Sequence, residues 1–236
     1  MFFSRHLYGK FVRGKQVLLA HRKCLQHLNL SFSQEGEDLV LHRHFNYKPS
    51  GFYVDVGAHH PYRFSNTFKF YLKGWRGINI DPLPGSMKLF DEKRPKDINL
   101  EIGISENDGE TLNYYMFDEP TLNTFDPSLV QRAEGENYRL EKTVTVKTVR
   151  LSSVLDQHLR QDQPIDFLTI DVEGFDLYVL RSNNWDKYRP AIVIAESYGT
   201  RLEDDLMSPV SKFLATKNYQ LVSKTANSLF YKDQEQ

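Results

Sequence analysis

The sequence is poor in cysteine, in net charge and in long apolar runs. Its single cysteine, Cys24, excludes an intrachain disulfide and a zinc site built from cysteine pairs, which favours a cytoplasmic protein. The 30 Lys and Arg are balanced by 31 Asp and Glu, so the overall field attracts no polyanion. Nucleic acid is therefore not an expected partner.

The first acidic residue is Glu35, so residues 1–30 form a basic arm. Its basic residues interrupt every apolar run, which excludes a transmembrane helix there and disfavours a secretory signal peptide. One interpretation is an amphipathic helix that contacts the inner face of a membrane or a lipid-linked substrate. The alternative is a helix that covers the domain or pairs two subunits in a homodimer. We expect residues 31–236 to form one domain with a single core.

Strand-like and helix-like segments alternate along this domain. The segments GFYVDVGA, 76–80, 98–104, 165–170 and 191–195 are strand-like, and the stretches between them have helical patterns. A final helix over 203–217 precedes two more strands, YQLVSK and SLFYK, which predict a hairpin. The pattern predicts an α/β fold with a doubly wound, mostly parallel seven-stranded sheet, helices on both faces and an antiparallel edge.

Residues 109–149 break this alternation after the third strand. GETLNYYMF and KTVTVKTV have strand patterns, whereas the segment between them is polar and punctuated like a loop. We interpret this stretch as a β-rich insertion that forms a lid over the substrate.

Polar residues follow the first two strands, at the end of the sheet where such folds bind ligands. Gly57 lets the backbone approach a ligand closely, and the acid Asp81 can accept both ribose hydroxyls of an adenosine. The alternative is that Gly57 is a turn glycine and Asp81 a helix cap. The predicted cofactor residues in these strand ends are Asp55, Gly57, Ala58, Asp81, Gly103, Ile104 and Asp171.

The first loop has one glycine where a pyrophosphate site requires several. His59 and Pro61 occupy positions where a GxGxxG loop would carry further glycines. This disfavours an NAD-dependent oxidoreductase and favours a cofactor with an adenosine and no phosphates. S-adenosylmethionine meets that description.

Acids also end the fourth and fifth strands. Because adjacent strands lie about 4.8 Å apart, we expect His60, Asp171, Glu173 and Glu196 to converge on one pocket. A carboxylate or histidine there could take the proton of an attacking alcohol. Alternatively, Asp171, Glu173 and Glu196 could hold a divalent metal ion.

Each of these residues also has a simpler interpretation. Asp171 could orient the amino group of the cofactor, Glu173 could cap a helix that starts at Gly174, and Glu196 could bind substrate. Of the two adjacent histidines, we expect His60 in the pocket and His59 in packing. The acceptor side is predicted to comprise Tyr62, Arg63, Asn123 and Tyr198.

Several long segments, in order, resemble the FkbM family of methyltransferases. They are SFSQEGEDLVL, GFYVDVGAHHPYRFSNTFKFYLKGWRGINIDP, INLEIGIS, LNTF and DFLTIDVEGFDLYVL, between about Ser31 and Glu196. The resemblance implies a Rossmann-like class I methyltransferase fold, S-adenosylmethionine as cofactor, and O-methylation of a hydroxyl, often on a sugar of a glycan or glycolipid. It also implies that Gln34, Glu37 and Asp38 close over the methionine end of the cofactor. A glycan-binding or scaffold protein that keeps the fold without the chemistry is the alternative from another class.

Overall fold

A seven-stranded sheet forms the centre of the computed structural model, which describes residues 27–199 and 201–235. Residues Phe32–Gln236 form one compact unit. The predicted basic arm, residues 1–30, lies almost entirely outside the described residues, so its predicted boundary and role stay predictions. None of the helices in the described part has both the length and the apolar content needed to cross a bilayer.

The sheet has the strand order β3-β2-β1-β7-β8-β10-β9. The strands β1, β2, β3, β7 and β8 run parallel, and β10 is antiparallel to both of its neighbours. This confirms the predicted doubly wound sheet with an antiparallel edge. The strands of this sheet are β1 (Phe52–Val56), β2 (Arg76–Ile80), β3 (Ile98–Leu100), β7 (Phe167–Ile170), β8 (Ile192–Glu196), β9 (Tyr219–Lys224) and β10 (Ser228–Asp233).

Helices cover both faces because the strand side chains alternate in direction. Val54 and Leu168 belong to one core cluster, whereas their neighbours Tyr53 and Phe167 belong to another. The first cluster also contains α5, α6 and α8, and the second contains α1 and α2. The helices are α1 (Glu37–His44), α2 (Phe68–Leu72), α3 (Ser86–Lys93), α4 (Pro127–Gly135), α5 (Leu151–His158), α6 (Asp176–Ser182), α7 (Leu202–Met207) and α8 (Pro209–Thr216).

The insertion forms a small second sheet. Its strands β5 (Thr111–Phe117) and β6 (Leu140–Val149) pair antiparallel, as their patterns predict, and β4 (Gly103–Ile104) adds to β6 in parallel. The single predicted strand over 98–104 is therefore wrong. The segment forms two strands, β3 and β4, because the chain leaves the main sheet before Gly103. Gly103 packs so closely under Phe125 that a Cβ would lie 2.8 Å from that ring.

Three helix predictions need correction. Helix α1 begins after Gly36 rather than after Ser33, whose hydroxyl instead accepts the backbone N–H of Asp38. The predicted loop of the insertion contains a 3-10 helix (Pro120–Leu122) and α4. The predicted last helix is two helices, because Pro209 lacks a backbone N–H and starts α8 with Ser208 as its cap.

Candidate active site

A cleft opens at the carboxyl ends of β1, β7 and β8, where the strand order reverses. It is lined by residues that directly follow these strands, by residues of the insertion, and by the segment before α1. The cleft thus lies where the sequence places it. The predicted site residues that line it are Gln34, Asp55, Gly57, Ala58, Asp81, Asn123, Asp171, Glu173, Glu196 and Tyr198.

The turn after β1 needs glycine at position 57. Gly57 has φ 84°, and its N–H donates to the carbonyl of Ile80 at 2.9 Å. A Cβ at this position would lie 1.8 Å from the carbonyl oxygen of Asp171. The glycine therefore lets the ends of β1 and β7 meet at the cleft.

Replacing Gly57 by alanine is expected to lower the free energy of unfolding by about 4 kcal/mol, because the obstacle is backbone rather than a movable side chain. Gly85→Ala is the matched control, since Gly85 has φ 85° but open space where the Cβ would go. It should cost only the conformational penalty of about 1–2 kcal/mol. Denaturant unfolding of both variants measures the difference. Equal losses would show that the close approach to Asp171 is unimportant.

Asp81 faces the cleft as a buried acceptor. Its Oδ2 accepts the N–H of His59 and its Oδ1 accepts that of Leu83, each at 2.8 Å. Burial raises the pKa of Asp81 to about 6, so the group is ionised at neutral pH. Asp81 thereby fixes the loop after β1 and presents negative charge where ribose hydroxyls would bind.

The two histidines have the reverse of the predicted placement. His59 lines the cleft, and its Nε2 is buried and has no hydrogen-bond partner among the described residues. Burial, followed by the charge of Arg63, lowers the pKa of His59 to about 4, so the imidazole is neutral. His60 does not line the cleft, because its Nδ1 accepts the N–H groups of Tyr62 and Arg63 in a tight turn.

Four other predicted residues also lie outside the cleft lining. The turn at His60 directs Tyr62 and Arg63 to the surface, where Arg63 pairs with Glu119 at 3.6 Å. Gly103 and Ile104 are buried in the second sheet, paired with β6. The cleft instead contains Phe64 and Asn66 of the same loop, together with Asn227 and Ser228 at the start of β10.

Three acids meet at the end of the cleft next to β7 and β8. Oxygen atoms of Asp171, Glu173 and Glu196 lie within 4.8 Å of one another. Burial, then the neighbouring carboxyls, raises the pKa of Glu196 to about 10, so this side chain is protonated at neutral pH. The pKa values of Asp171 and Glu173 are raised as well, again first by burial. The three groups therefore share fewer than three negative charges.

Glu173 has the most specific surroundings of the three acids. It has φ 51°, and its carboxylate accepts the Tyr198 hydroxyl at 2.6 Å. Its carbonyl accepts the hydroxyl of Thr124, which belongs to the insertion. The helix after β7 begins at Asp176, so the interpretation of Glu173 as a helix cap is wrong. The insertion and the β8 turn both hold Glu173 in place.

The segment before α1 and the first residue of α1 close the cleft on another side. Gln34 and Glu37 line it, and Glu37 also accepts the Ser228 hydroxyl at 3.1 Å. Asp38 is fully buried and accepts the N–H of Phe32 at 2.9 Å, so it shapes the segment rather than facing the cleft. Asn123 accepts the Phe117 N–H through Oδ1, which holds the end of β5.

The residues of the cleft fit S-adenosylmethionine. Leu83, Tyr114 and Phe125 pack in one apolar cluster and offer a surface for a flat base. Asp81 offers carboxylate oxygens that suit ribose hydroxyls, and the acid Asp55 suits an amino group. The chemistry of this donor set agrees with an adenosine that carries an amino acid rather than with a phosphate-bearing ligand.

The sequence matches the methyltransferase FkbM domain over residues 55–221, well over half of the chain. The chain belongs to the FkbM methyltransferase family. It is accordingly an S-adenosylmethionine-dependent methyltransferase, as the sequence resemblance implies. The matched region includes the carboxyl ends of β1, β2, β7 and β8, but neither the segment before α1 nor the start of β10.

This FkbM methyltransferase matches no curated protein, whereas several solved structures are similar to it. A putative RNA methyltransferase from Pyrococcus horikoshii is 9% identical, with 87% of this chain and 91% of that chain covered and a TM-score of 0.42. A TehB-like SAM-dependent methyltransferase from Corynebacterium glutamicum is 11% identical, with 94% and 99% covered and a TM-score of 0.40. An O-methyltransferase from Bacillus cereus in complex with SAH is 9% identical, with 93% and 90% covered and a TM-score of 0.41.

Proposed function

We propose that this FkbM methyltransferase methylates a hydroxyl oxygen of a sugar in a glycan or glycolipid. The observation that carries the proposal is the arrangement of Glu173, which is fixed by Tyr198 and lies beside the protonated Glu196. A hydroxyl must lose its proton as it attacks a methyl group, and a positioned carboxylate can take that proton.

The side chains at the acid cluster have different roles in the reaction. When bound, S-adenosylmethionine supplies a methyl group on a positively charged sulfur. Glu173 takes the proton of the acceptor hydroxyl while the oxygen of that hydroxyl forms a bond to the methyl carbon. The carbon–sulfur bond breaks at the same time, and its electrons stay on sulfur. Tyr198 holds the carboxylate in position, and Glu196 keeps the negative charge of the cluster low enough for three carboxyls to coexist.

Two partly exposed aromatic rings of the cleft support a sugar acceptor. Tyr198 is 46% exposed and Phe64 is 43% exposed, yet both line the cleft. The guanidinium of Arg132, on α4 of the insertion, lies 5.1 Å from the Tyr198 ring and fixes its orientation. Exposed ring faces of this kind suit the C–H face of a pyranose, and the surrounding carboxyls and amides suit its hydroxyls.

The full chain should be incubated with methyl-labelled S-adenosylmethionine and with free sugars, soluble glycans and lipid-linked glycans in separate reactions. We expect label in one of the glycan fractions, with an O-methyl resonance in the product. Label on nitrogen or carbon would overturn O-methylation. Binding of S-adenosylmethionine without transfer to any fraction would favour the non-catalytic glycan-binding protein.

A divalent ion at the same acids is a second candidate arrangement, favoured by the 4.8 Å grouping of Asp171, Glu173 and Glu196. It predicts that a chelator abolishes transfer and that added Mg²⁺ or Mn²⁺ restores it. Unchanged transfer in the presence of the chelator would exclude the metal and favour proton removal by a carboxylate of the cluster.

Tyr198→Phe is expected to move the acidic limb of the pH profile of kcat/KM upward by about one pH unit. The Tyr198 hydroxyl favours the ionised form of Glu173, so its loss raises the pKa of Glu173 further, and the active carboxylate appears only at higher pH. Tyr178→Phe is the matched control, because Tyr178 is exposed on α6, stacks on Phe175 and lies outside the cleft lining. An unchanged acidic limb in the pH profile of Tyr198→Phe would show that Glu173 is not the group that takes the proton.

A further inference from the structure

Arg94 is a fully buried cation beneath the cofactor side of the cleft. It caps α3, and both its side chain and that of Asp97 have no solvent exposure. A buried guanidinium is costly unless its donors are all used. Its Nε donates to Asp97 at 3.0 Å, and Nη2 donates to the Tyr53 hydroxyl at 2.6 Å and to Thr67 Oγ1 at 3.0 Å.

Asp97 accepts only the Nε–H of Arg94, because other groups donate its remaining hydrogen bonds. Its oxygens also accept the Tyr53 hydroxyl, the Asn79 amide and the N–H of Gly77. Both Nη groups of Arg94 also reach the loop between β1 and α2: Nη2 donates to Thr67, and Nη1 lies 3.4 Å from the Pro61 carbonyl. This is the loop that begins at Gly57 and lines the cleft.

The contact with Thr67 fixes the direction of a hydrogen-bond relay. A guanidinium only donates, so the Thr67 oxygen acts as acceptor toward Arg94 and its own proton is available for another group. The Thr67 hydroxyl donates that proton to Oδ2 of Asp55 at 2.7 Å. A fixed chain of donors thus runs from Arg94 through Thr67 to an acid that lines the cleft.

We propose that Arg94 and Thr67 are positioning residues that hold Asp55 as an oriented carboxylate for the amino group of the cofactor. This inference rests on the proposed function of the cleft as the S-adenosylmethionine site. Among the described residues, no cationic side chain forms a salt bridge with Asp55, so the hydrogen bond from Thr67 links it to the positive charge of Arg94. Thr67 and Arg94 do not line the cleft, and they act on the ligand only through Asp55.

The charges around Asp55 agree with this role. Burial raises the pKa of Asp55 to about 6, while the Thr67 hydrogen bond and the charge of Arg94 oppose that rise. The carboxyls of Asp81 and Asp97 act in the same direction as burial, and Asp171 also lies near enough to interact with Asp55. Without the relay, the acids around it would favour the protonated form of Asp55 at neutral pH.

The test compares Thr67→Val with Thr67→Ser, which removes or keeps the hydroxyl. Calorimetry on the full chain would follow the affinity for S-adenosylhomocysteine, which carries the amino group but not the sulfonium, from about pH 5 to about pH 7, below the pKa of an α-amino group. Wild-type affinity should rise with pH, with a midpoint near 6, because both Asp55 and Asp81 ionise there and Asp55 attracts the ammonium only when ionised. Substitution of Thr67 changes only the part that depends on Asp55. Thr67→Val should move this midpoint upward by about one pH unit, and Thr67→Ser should restore it.

A second ligand separates this role from a general loss of structure. 5′-Methylthioadenosine lacks the amino acid part, so its affinity should be equal in wild type and Thr67→Val. Equal midpoints for S-adenosylhomocysteine in wild type and Thr67→Val would overturn the relay. A parallel loss for both ligands would also overturn it, because it would indicate only a damaged loop. Failure of the wild type to bind either ligand would instead overturn the proposed cofactor site.

Discussion

Glu173→Gln is expected to lower kcat by about 10²–10⁴-fold, the usual contribution of a positioned base, with little change in the affinity for S-adenosylmethionine. Glutamine keeps the size of the side chain and can still accept the Tyr198 hydroxyl, but it cannot take a proton. Single-turnover kinetics with saturating acceptor, together with calorimetry of cofactor binding, separate the two effects.

Two further variants make this expectation specific. Glu196→Gln imitates the protonated form that Glu196 already has at neutral pH, so its effect on kcat should be much smaller. Glu92→Gln is the surface control, since Glu92 is exposed on α3 and lies outside the cleft lining. If Glu196→Gln were the inactive variant and Glu173→Gln the active one, the roles of the two acids would be exchanged.

The positions of the strand ends could be predicted from the sequence because the central strands are buried on both faces. The apolar runs of β1, β2, β7 and β8 stop at Asp55, Asp81, Asp171 and Glu196, or next to them, so each polar residue marks a strand end at the cleft. Crossovers between parallel strands are right-handed and connections are short, so few strand orders are possible. The meeting of these acids follows from strand periodicity and topology alone.

The placement of the histidines could not be predicted in the same way. Side-chain alternation holds within a strand but fails in a turn, and His59 has φ 50° in the left-handed region. That conformation, fixed by the Asp81 contact with its N–H, places His59 at the cleft. Nothing in the local sequence HHP distinguishes this arrangement from the opposite one.

Helix α4 of the insertion was predictable, but only from its first residues. Asp126 accepts the N–H of Ser128 and Pro127 occupies the first helical position, which is a common helix start. The polar composition of the segment hid this signal, because α4 buries only Ala133. A helix with so little apolar surface gives a weak periodic pattern, and its contact with Gly174 in the turn after β7 depends on the tertiary fold.

Asp81→Asn is expected to weaken S-adenosylhomocysteine binding by about 100-fold, since two hydrogen bonds from ribose hydroxyls to a charged acceptor are worth roughly 3 kcal/mol. Both carboxylate oxygens already accept backbone N–H groups, from His59 and Leu83. An asparagine must present its NH₂ group to one of those donors, so the loop after β1 shifts as well. Calorimetry at neutral pH measures the loss, because Asp81 is ionised there.

Asp91→Asn is the matched control, because Asp91 is an exposed acid on α3 outside the cleft lining. It should bind S-adenosylhomocysteine as wild type does. Thermal unfolding of Asp81→Asn separates a shifted loop from a lost ligand contact, since a shifted loop lowers Tm in the absence of ligand. An Asp81→Asn variant with wild-type affinity would mean that the ribose does not bind at the end of β2. The adenosine would then have to lie elsewhere in the cleft, and the assignment of Asp55 to the amino group would fail with it.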